Sequence, residues 1–247
     1  MKIDINTKMI TLLGKPLGQS FAARMQNAGY EAAGLNMLYF YTEVDKDHLG
    51  DVVNGLRYMN FAGFAVTKPN KVRVLRYLDE LDPLCKKMGA SNTVVKTPEG
   101  KLIGYNTDGV GFYTSLVEEG KINVEESTFF CFGAGGAGRA MCSVLAYHGA
   151  KKIYITDFYE PCAESLVMDI NENFAPVAEL VHHGDYAKIA ECNVVMNASG
   201  IGMGSTIGQT PMPVEHIQPG QFYFDACYNP DKTQFLLNAE EKGCQVL

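Results

Sequence analysis

Ten residues constrain this chain more than any others: Cys131-Phe132-Gly133-Ala134-Gly135-Gly136-Ala137-Gly138-Arg139-Ala140. Apolar residues run into a cluster of glycines and leave through small residues, the pattern of a strand that turns sharply into a helix. Gly133 permits the turn, Gly135 lets backbone approach a pyrophosphate, and Gly138 lets the helix pack closely on the sheet. Unpaired N–H groups at the start of a helix from about Gly136 to His148 would then face the phosphates, where the helix dipole favours anions. Rossmann-like folds also hold flavins and S-adenosylmethionine, so the flanking sequence decides. Phe129 to Phe132 read as a buried strand before the turn. Lys152 to Thr156 read as a second strand, ending at Asp157 at the spacing where an acidic side chain binds the ribose hydroxyls of NAD. The alternative for Asp157 is a carboxylate that only ends a strand or caps a helix.

The remaining composition narrows the partners. A net charge of −7 with no long basic run excludes nucleic acid and anionic membrane as main partners. Seven scattered cysteines, with no Cys-x-x-Cys pair, indicate reduced thiols and neither a disulfide framework nor a zinc site. The start, Met-Lys-Ile-Asp-Ile-Asn, has no signal-peptide apolar core, and no apolar run approaches the ~20 residues that span a bilayer. A cytoplasmic protein is expected. The adjacent His182 and His183 form no metal-ligand spacing, and no metal is expected.

Along the chain, strands and helices alternate. Met9 to Leu13 read as a strand ending in the loop Gly14-Lys15-Pro16-Leu17-Gly18-Gln19-Ser20, with a helix from about Ala22 to Gly34. Leu38 to Tyr41 read as a strand, His48 to Met59 as a helix, and Gly63 to Thr67 as a strand running into Lys68-Pro69-Asn70-Lys71. Val72 to Leu81 are predicted helical. Gly89 to Val95 lead into another strand, and Leu102 to Tyr105 pair back after the turn at Thr97-Pro98-Glu99-Gly100. Such alternation gives a mostly parallel α/β sheet whose ligand crevice lies at the strand C-termini, so Ser20 and Thr67 to Lys71 should share one mouth.

Gly89-Ala90-Ser91-Asn92-Thr93, Asn106-Thr107-Asp108-Gly109 with Gly111-Phe112, the glycine turn, Asn197-Ala198-Ser199 and Asp225-x-x-Tyr228-x-Pro230-x-x-Thr233 occur in one order. Together they resemble the shikimate/quinate dehydrogenase family over nearly the whole chain. The resemblance implies two α/β domains: a mostly parallel substrate domain over 1–108 and a Rossmann-type NAD-binding domain over 109–233, with 109–120 as linking helix. Residues 234–247 would be a return segment toward the substrate domain. It also implies hydride transfer between a nicotinamide cofactor and the 3-position alcohol or ketone of a polyol carboxylate. A non-catalytic sensor of the same fold is the alternative, and a homodimer is compatible with either.

Oxidising a secondary alcohol needs one positioned group to take the hydroxyl proton while hydride leaves. By resemblance Lys71 is that group and Asp108 its partner. Ser20, Thr67, Asn92 and Tyr228 would contact substrate. Gly133, Gly135, Gly136, Ala137, Gly138, Asp157 and Ser199 would hold the cofactor. The family's Ser-x-Ser-Pro loop stands here as Ser20-Phe21-Ala22-Ala23, and its Asn-Val-Thr strand as Ala65-Val66-Thr67. Catalysis looks retained and substrate recognition altered. NADP-dependent members carry Asn-Arg-Thr-like residues after the second nucleotide-domain strand; this chain has Thr156-Asp157-Phe158, which points to NAD over NADP.

Overall fold

A computed structural model describes residues 3–18 and 20–247. The chain divides into two compact units, Met1–Thr107 and Asp108–Leu247. The first contains β1 (Lys8–Gly14), α1 (Ala22–Ala32), β2 (Met37–Glu43), α2 (Leu49–Tyr58), β3 (Phe61–Val66), β4 (Glu80–Leu81), α3 (Pro83–Met88), β5 (Thr93–Lys96) and β6 (Leu102–Tyr105). Its sheet runs β2-β1-β3-β5-β6-β4. The β2, β1 and β3 strands are parallel, β5 is antiparallel to both its neighbours, and β4 is parallel to β6.

Leu49, Val53 and Leu56 recur at helical spacing along α2 and are buried against Leu13, Phe64 and Val66 of the sheet. Fully burying side chains of this size contributes about 1.5–3 kcal/mol each, which is what holds so short a helix. The edge strand β2 is covered in part by Asn27 of α1: its amide nitrogen donates to the Tyr39 carbonyl and its amide oxygen accepts from the Tyr39 N–H, both at 2.8 Å. An unpaired strand edge is thereby satisfied.

The helix predicted over 72–81 is not formed. Arg73–Tyr77 make a 3-10 turn, and the chain then extends into β4. Asp79 N–H donates to the Leu102 carbonyl and Asp82 N–H to that of Gly104, while Leu78 and Leu81 close over Gly104 so tightly that a Cβ there would lie 2.6 Å from Leu78. Pairing with β6 supplies the backbone bonds that a longer helix would have made.

The second unit contains α4 (Thr107–Glu118), β7 (Thr128–Phe132), α5 (Gly136–Tyr147), β8 (Lys152–Thr156), α6 (Glu160–Asn173), β9 (Ala178–Leu180), β10 (Val194–Asn197), β11 (Phe222–Asp225), α7 (Gln234–Glu241) and β12 (Gln245–Val246). The sheet runs β12-β11-β10-β7-β8-β9 with every pairing parallel. Such strands must be apolar on both faces, and Phe129, Phe130, Cys131, Val194, Val195 and Met196 are fully buried. Chain order reverses between β7 and β10, so the ligand crevice belongs at their carboxyl ends.

Residues 234–247, expected as a return segment, belong to the second unit. Phe235, Leu236 and Ala239 of α7 are buried in the same core as Phe132 and Tyr223. The β12 strand pairs with β11, Leu247 N–H donates to the Tyr223 carbonyl, and Asp225 N–H donates to that of Leu247. The apolar face of α7 and the open edge of β11 complete each other, which fixes the segment to the second sheet. No helix among the described residues is long and apolar enough to cross a membrane.

Candidate active site

In the first unit, the candidate residues collect at one end of the sheet. Thr67 follows β3, and its N–H donates to the Leu13 carbonyl; Asn70 N–H donates back to the Thr67 carbonyl at 2.8 Å, closing a turn. Ser91 N–H donates to the Lys71 carbonyl at 2.9 Å, and Val66 N–H to that of Asn92 at 2.8 Å. Those two bonds bring Thr67, Lys71 and Asn92 together. The Asn92 amide oxygen accepts from Thr107 N–H and its nitrogen donates to Thr107 Oγ1, both at 2.9 Å, so Asn92 also sets the residue that precedes Asp108.

The loop after β1 approaches the same turn. A Cβ on Gly14 would lie 2.4 Å from the Thr67 methyl and 2.9 Å from the Lys68 carbonyl, so only glycine admits this contact. Ser20 Oγ accepts from Ala22 N–H at 3.2 Å. Its carbonyl accepts from the Tyr41 hydroxyl at 2.6 Å, and that hydroxyl in turn accepts from Ala23 N–H at 3.0 Å. Ala23 has an N–H where the family loop has proline, and Tyr41 uses it. Gln19 lies outside the described residues.

In the second unit, the glycine turn has the predicted form. Gly133 has φ +101°, its N–H donates to the Thr156 carbonyl, and a Cβ there would lie 2.6 Å from Ser199 N. A Cβ on Gly138 would lie 1.9 Å from the Gly133 carbonyl oxygen, whereas one on Gly135 would meet nothing within 4 Å. Gly133 and Gly138 are thus required by the fold, and Gly135 leaves space at the start of α5. Gly136 and Ala137 form the first turn of that helix. Arg139 does not join them, because its guanidinium pairs with Asp169 of α6.

Gly133, Asp157, Phe158, His183, Ser199 and Thr206 line one cleft of about 600 Å³. A bare glycine turn, helix N–H groups and a cleft of this size fit the phosphates and adenosine of a dinucleotide. Asp157 does not stand free in the cleft. One carboxylate oxygen accepts from Ala134 N–H at 2.7 Å and the other from Tyr159 N–H at 2.8 Å. It ties the glycine turn to the start of α6.

Asn197, Asp225 and Thr233 were read from the sequence only as parts of motifs; each is a buried polar residue at or beyond the end of an apolar strand. Asn197 Nδ2 donates to both Asp225 oxygens at 3.0 and 3.1 Å, and Thr233 Oγ1 donates to Asp225 Oδ2 at 2.6 Å. Cys227 N–H donates to Asp225 Oδ1 at 2.9 Å. Burial pushes the Asp225 carboxyl above the usual carboxylate range, against the pull of these donors. Tyr228 follows on an exposed stretch. No group of three or more metal-ligating side chains occurs among the described residues.

The chain is similar to known proteins over its whole length. Residues 12–94 match the model of the shikimate dehydrogenase substrate binding domain. A protein of Desulforamulus reducens named shikimate dehydrogenase (NADP(+)) is 37% identical, covering 100% of this chain and 86% of the relative. The crystal structure of shikimate 5-dehydrogenase from Listeria monocytogenes in complex with shikimate and NAD has TM-score 0.90 at 35% identity, covering 100% of this chain and 88% of that one. A shikimate dehydrogenase solved in complex with NADP+ has TM-score 0.91 at 31% identity, covering 100% and 85%. The expectation of NAD is corrected by these findings: the similar curated relatives are named for NADP(+), and the Asp157 carboxylate on which that expectation rested is engaged by main-chain N–H groups. By its match to curated relatives over the whole of this chain and its two α/β units, the chain belongs to the shikimate/quinate dehydrogenase family of oxidoreductases.

Proposed function

We propose that this protein is an NADP(H)-dependent dehydrogenase acting on the 3-position alcohol or ketone of a shikimate- or quinate-like polyol carboxylate. The observation that carries the reading is the match to curated shikimate dehydrogenases over the whole of this chain; Lys71 and Asp108 stand in the motifs by which the sequence resembles that family. In this reading residues up to Asp108 bind the polyol and the following unit binds the nucleotide. Gly133, Gly135, Gly136, Ala137 and Gly138 receive the pyrophosphate, and Ser199 borders it. When bound, the nicotinamide supplies or accepts the hydride.

The protein's own part is the proton. Lys71 Nζ takes it from the substrate hydroxyl during oxidation and returns it to the alkoxide during reduction. Asp108 orients the ammonium and favours its charged form, so the pair holds the proton close to the reacting oxygen. Ser20, Thr67, Asn92 and the Tyr228 phenol supply hydrogen-bonding groups for the ring hydroxyls and carboxylate. Assembly as a homodimer and a cytoplasmic location belong to the same reading; sedimentation of the purified protein tests the first.

The function is tested by following nicotinamide reduction with shikimate, quinate and related polyols, each with NADP and with NAD. A higher kcat/KM with NADP is expected. A clear preference for NAD, or failure to oxidise any of the polyols, would contradict the reading.

A further inference from the structure

Asp225 is buried at the end of β11, between two loops with different tasks. On one side, Asn197 carries its effect into residues 198–206. Its side-chain oxygen accepts from Ser199 N–H at 3.1 Å and Ser199 Oγ at 2.6 Å, and its nitrogen donates to the Ile201 carbonyl at 2.8 Å. Ser199, Ile201 and Thr206 line the nucleotide cleft, and the backbone at Ala198 and Ser199 lies against Gly133 with no room for a Cβ between them. On the other side, Cys227 N–H and Thr233 Oγ1 donate to the two Asp225 oxygens. These bonds close residues 226–233, the loop that carries Tyr228. Thr233 also packs against Gly202, where a Cβ would lie 3.2 Å from its methyl.

The contacts are therefore continuous from the glycine turn, through Ser199, Asn197 and Asp225, to the Tyr228 loop. We propose that Asp225 is a positioning residue that couples the two loops, so that nucleotide in the cleft orders the loop that carries Tyr228. The inference rests on the reading that the cleft holds the nucleotide. A buried carboxylate receiving four donor contacts holds both loops at once, so a change in one loop reaches the other through it. Coupling of this kind is reciprocal: whatever orders the 226–233 loop strengthens nucleotide binding by the factor by which nucleotide favours the ordered loop.

The test is amide hydrogen exchange on the whole protein, with and without 2′-phospho-ADP-ribose, which carries the adenosine and pyrophosphate but no nicotinamide. In the parent, the fragment should slow exchange at 133–138 and also at 226–231. In Thr233→Val, protection at 133–138 should persist while that at 226–231 falls by about fivefold or more. Thr233→Ser, which keeps the hydroxyl, should restore it. Asp225→Asn, which keeps side-chain volume, carries the same expectation as the valine variant should that variant fail to fold. Equal protection of 226–231 in parent and variant, or none in a parent protected at 133–138, would overturn the proposal. Absence of protection at both segments would instead contradict the nucleotide reading of the cleft. The unliganded proteins then decide: faster exchange in Thr233→Val at 198–203 and 226–231 together supports the coupling, and faster exchange at 226–231 alone overturns it.

Discussion

Thr233 spends its hydroxyl on a buried carboxylate, and the value of that bond depends on the charge of its partner. Burial holds the Asp225 carboxyl above 3.8, so the folded protein keeps this proton to higher pH than the unfolded chain. Stability contributed here is fullest in acid and falls as pH rises through the raised value, and the Thr233 donor limits that loss. Replacing Thr233 by Val should therefore cost about 1–3 kcal/mol near neutral pH and less in acid, read from urea unfolding at both. His148 behaves oppositely. It stacks on Tyr113 with ring centroids 3.7 Å apart, and burial holds its pKa below 6.5. The unfolded imidazole gains its proton first as pH falls, so the stability it contributes is complete above about 6.5 and is lost as pH falls toward the lower folded value. His148→Phe removes the titration and keeps a ring to stack. Between about pH 7.5 and about pH 5.5 the parent's melting temperature should fall further than the variant's. The roles of Asp225 and His148 were not legible in sequence, because the Asn197 that donates to Asp225 and the Tyr113 that stacks on His148 come from segments distant along the chain. Asp157 shows the same limit: the strand end before it was legible, and only the fold reveals that Ala134 and Tyr159 donate to its two oxygens.

At the scale of elements, the glycine turn was the most legible stretch, since each of its requirements is local. Gly133 needs a positive φ and Gly138 a missing Cβ, and the sequence announces both. The two glycines with opposite surroundings give a direct test. Gly138→Ala sets a methyl against the Gly133 carbonyl oxygen and should both destabilise the protein and weaken NADP binding. Gly135→Ala meets no atom of the protein. It should cost stability no more than about 1 kcal/mol, the scale of an N-cap change, while NADP affinity falls because the methyl occupies the approach to the helix N–H groups. Calorimetric titration of both variants beside their melting curves separates the two effects. The apolar strands β1, β3, β7 and β8 were readable from their runs alone. Residues 72–81 were not, because β6 offers them ladder bonds and Gly104 offers Leu78 and Leu81 a close seat, so tertiary pairing outweighs helical periodicity. The pairing of β12 with β11 was not legible for the same reason: the open edge of β11 is a property of the sheet.

For the whole molecule, the family was legible because five motifs keep their order across the chain, and relatives that match the whole of this chain bear it out. Cofactor choice was not legible from Thr156-Asp157-Phe158, since a carboxylate's availability depends on which N–H groups the fold turns toward it. The central claim is that this α/β chain moves a proton through Lys71 while hydride passes between NADP(H) and a polyol carboxylate. Initial rates of NADP reduction for the parent and for Lys71→Ala, over a range of polyol and cofactor concentrations, test it most directly. The account predicts a fall in kcat of ~10²-fold or more with the KM for NADP changed by less than about twofold, since the lysine acts on the substrate proton. Near-parental turnover by the alanine variant would contradict it.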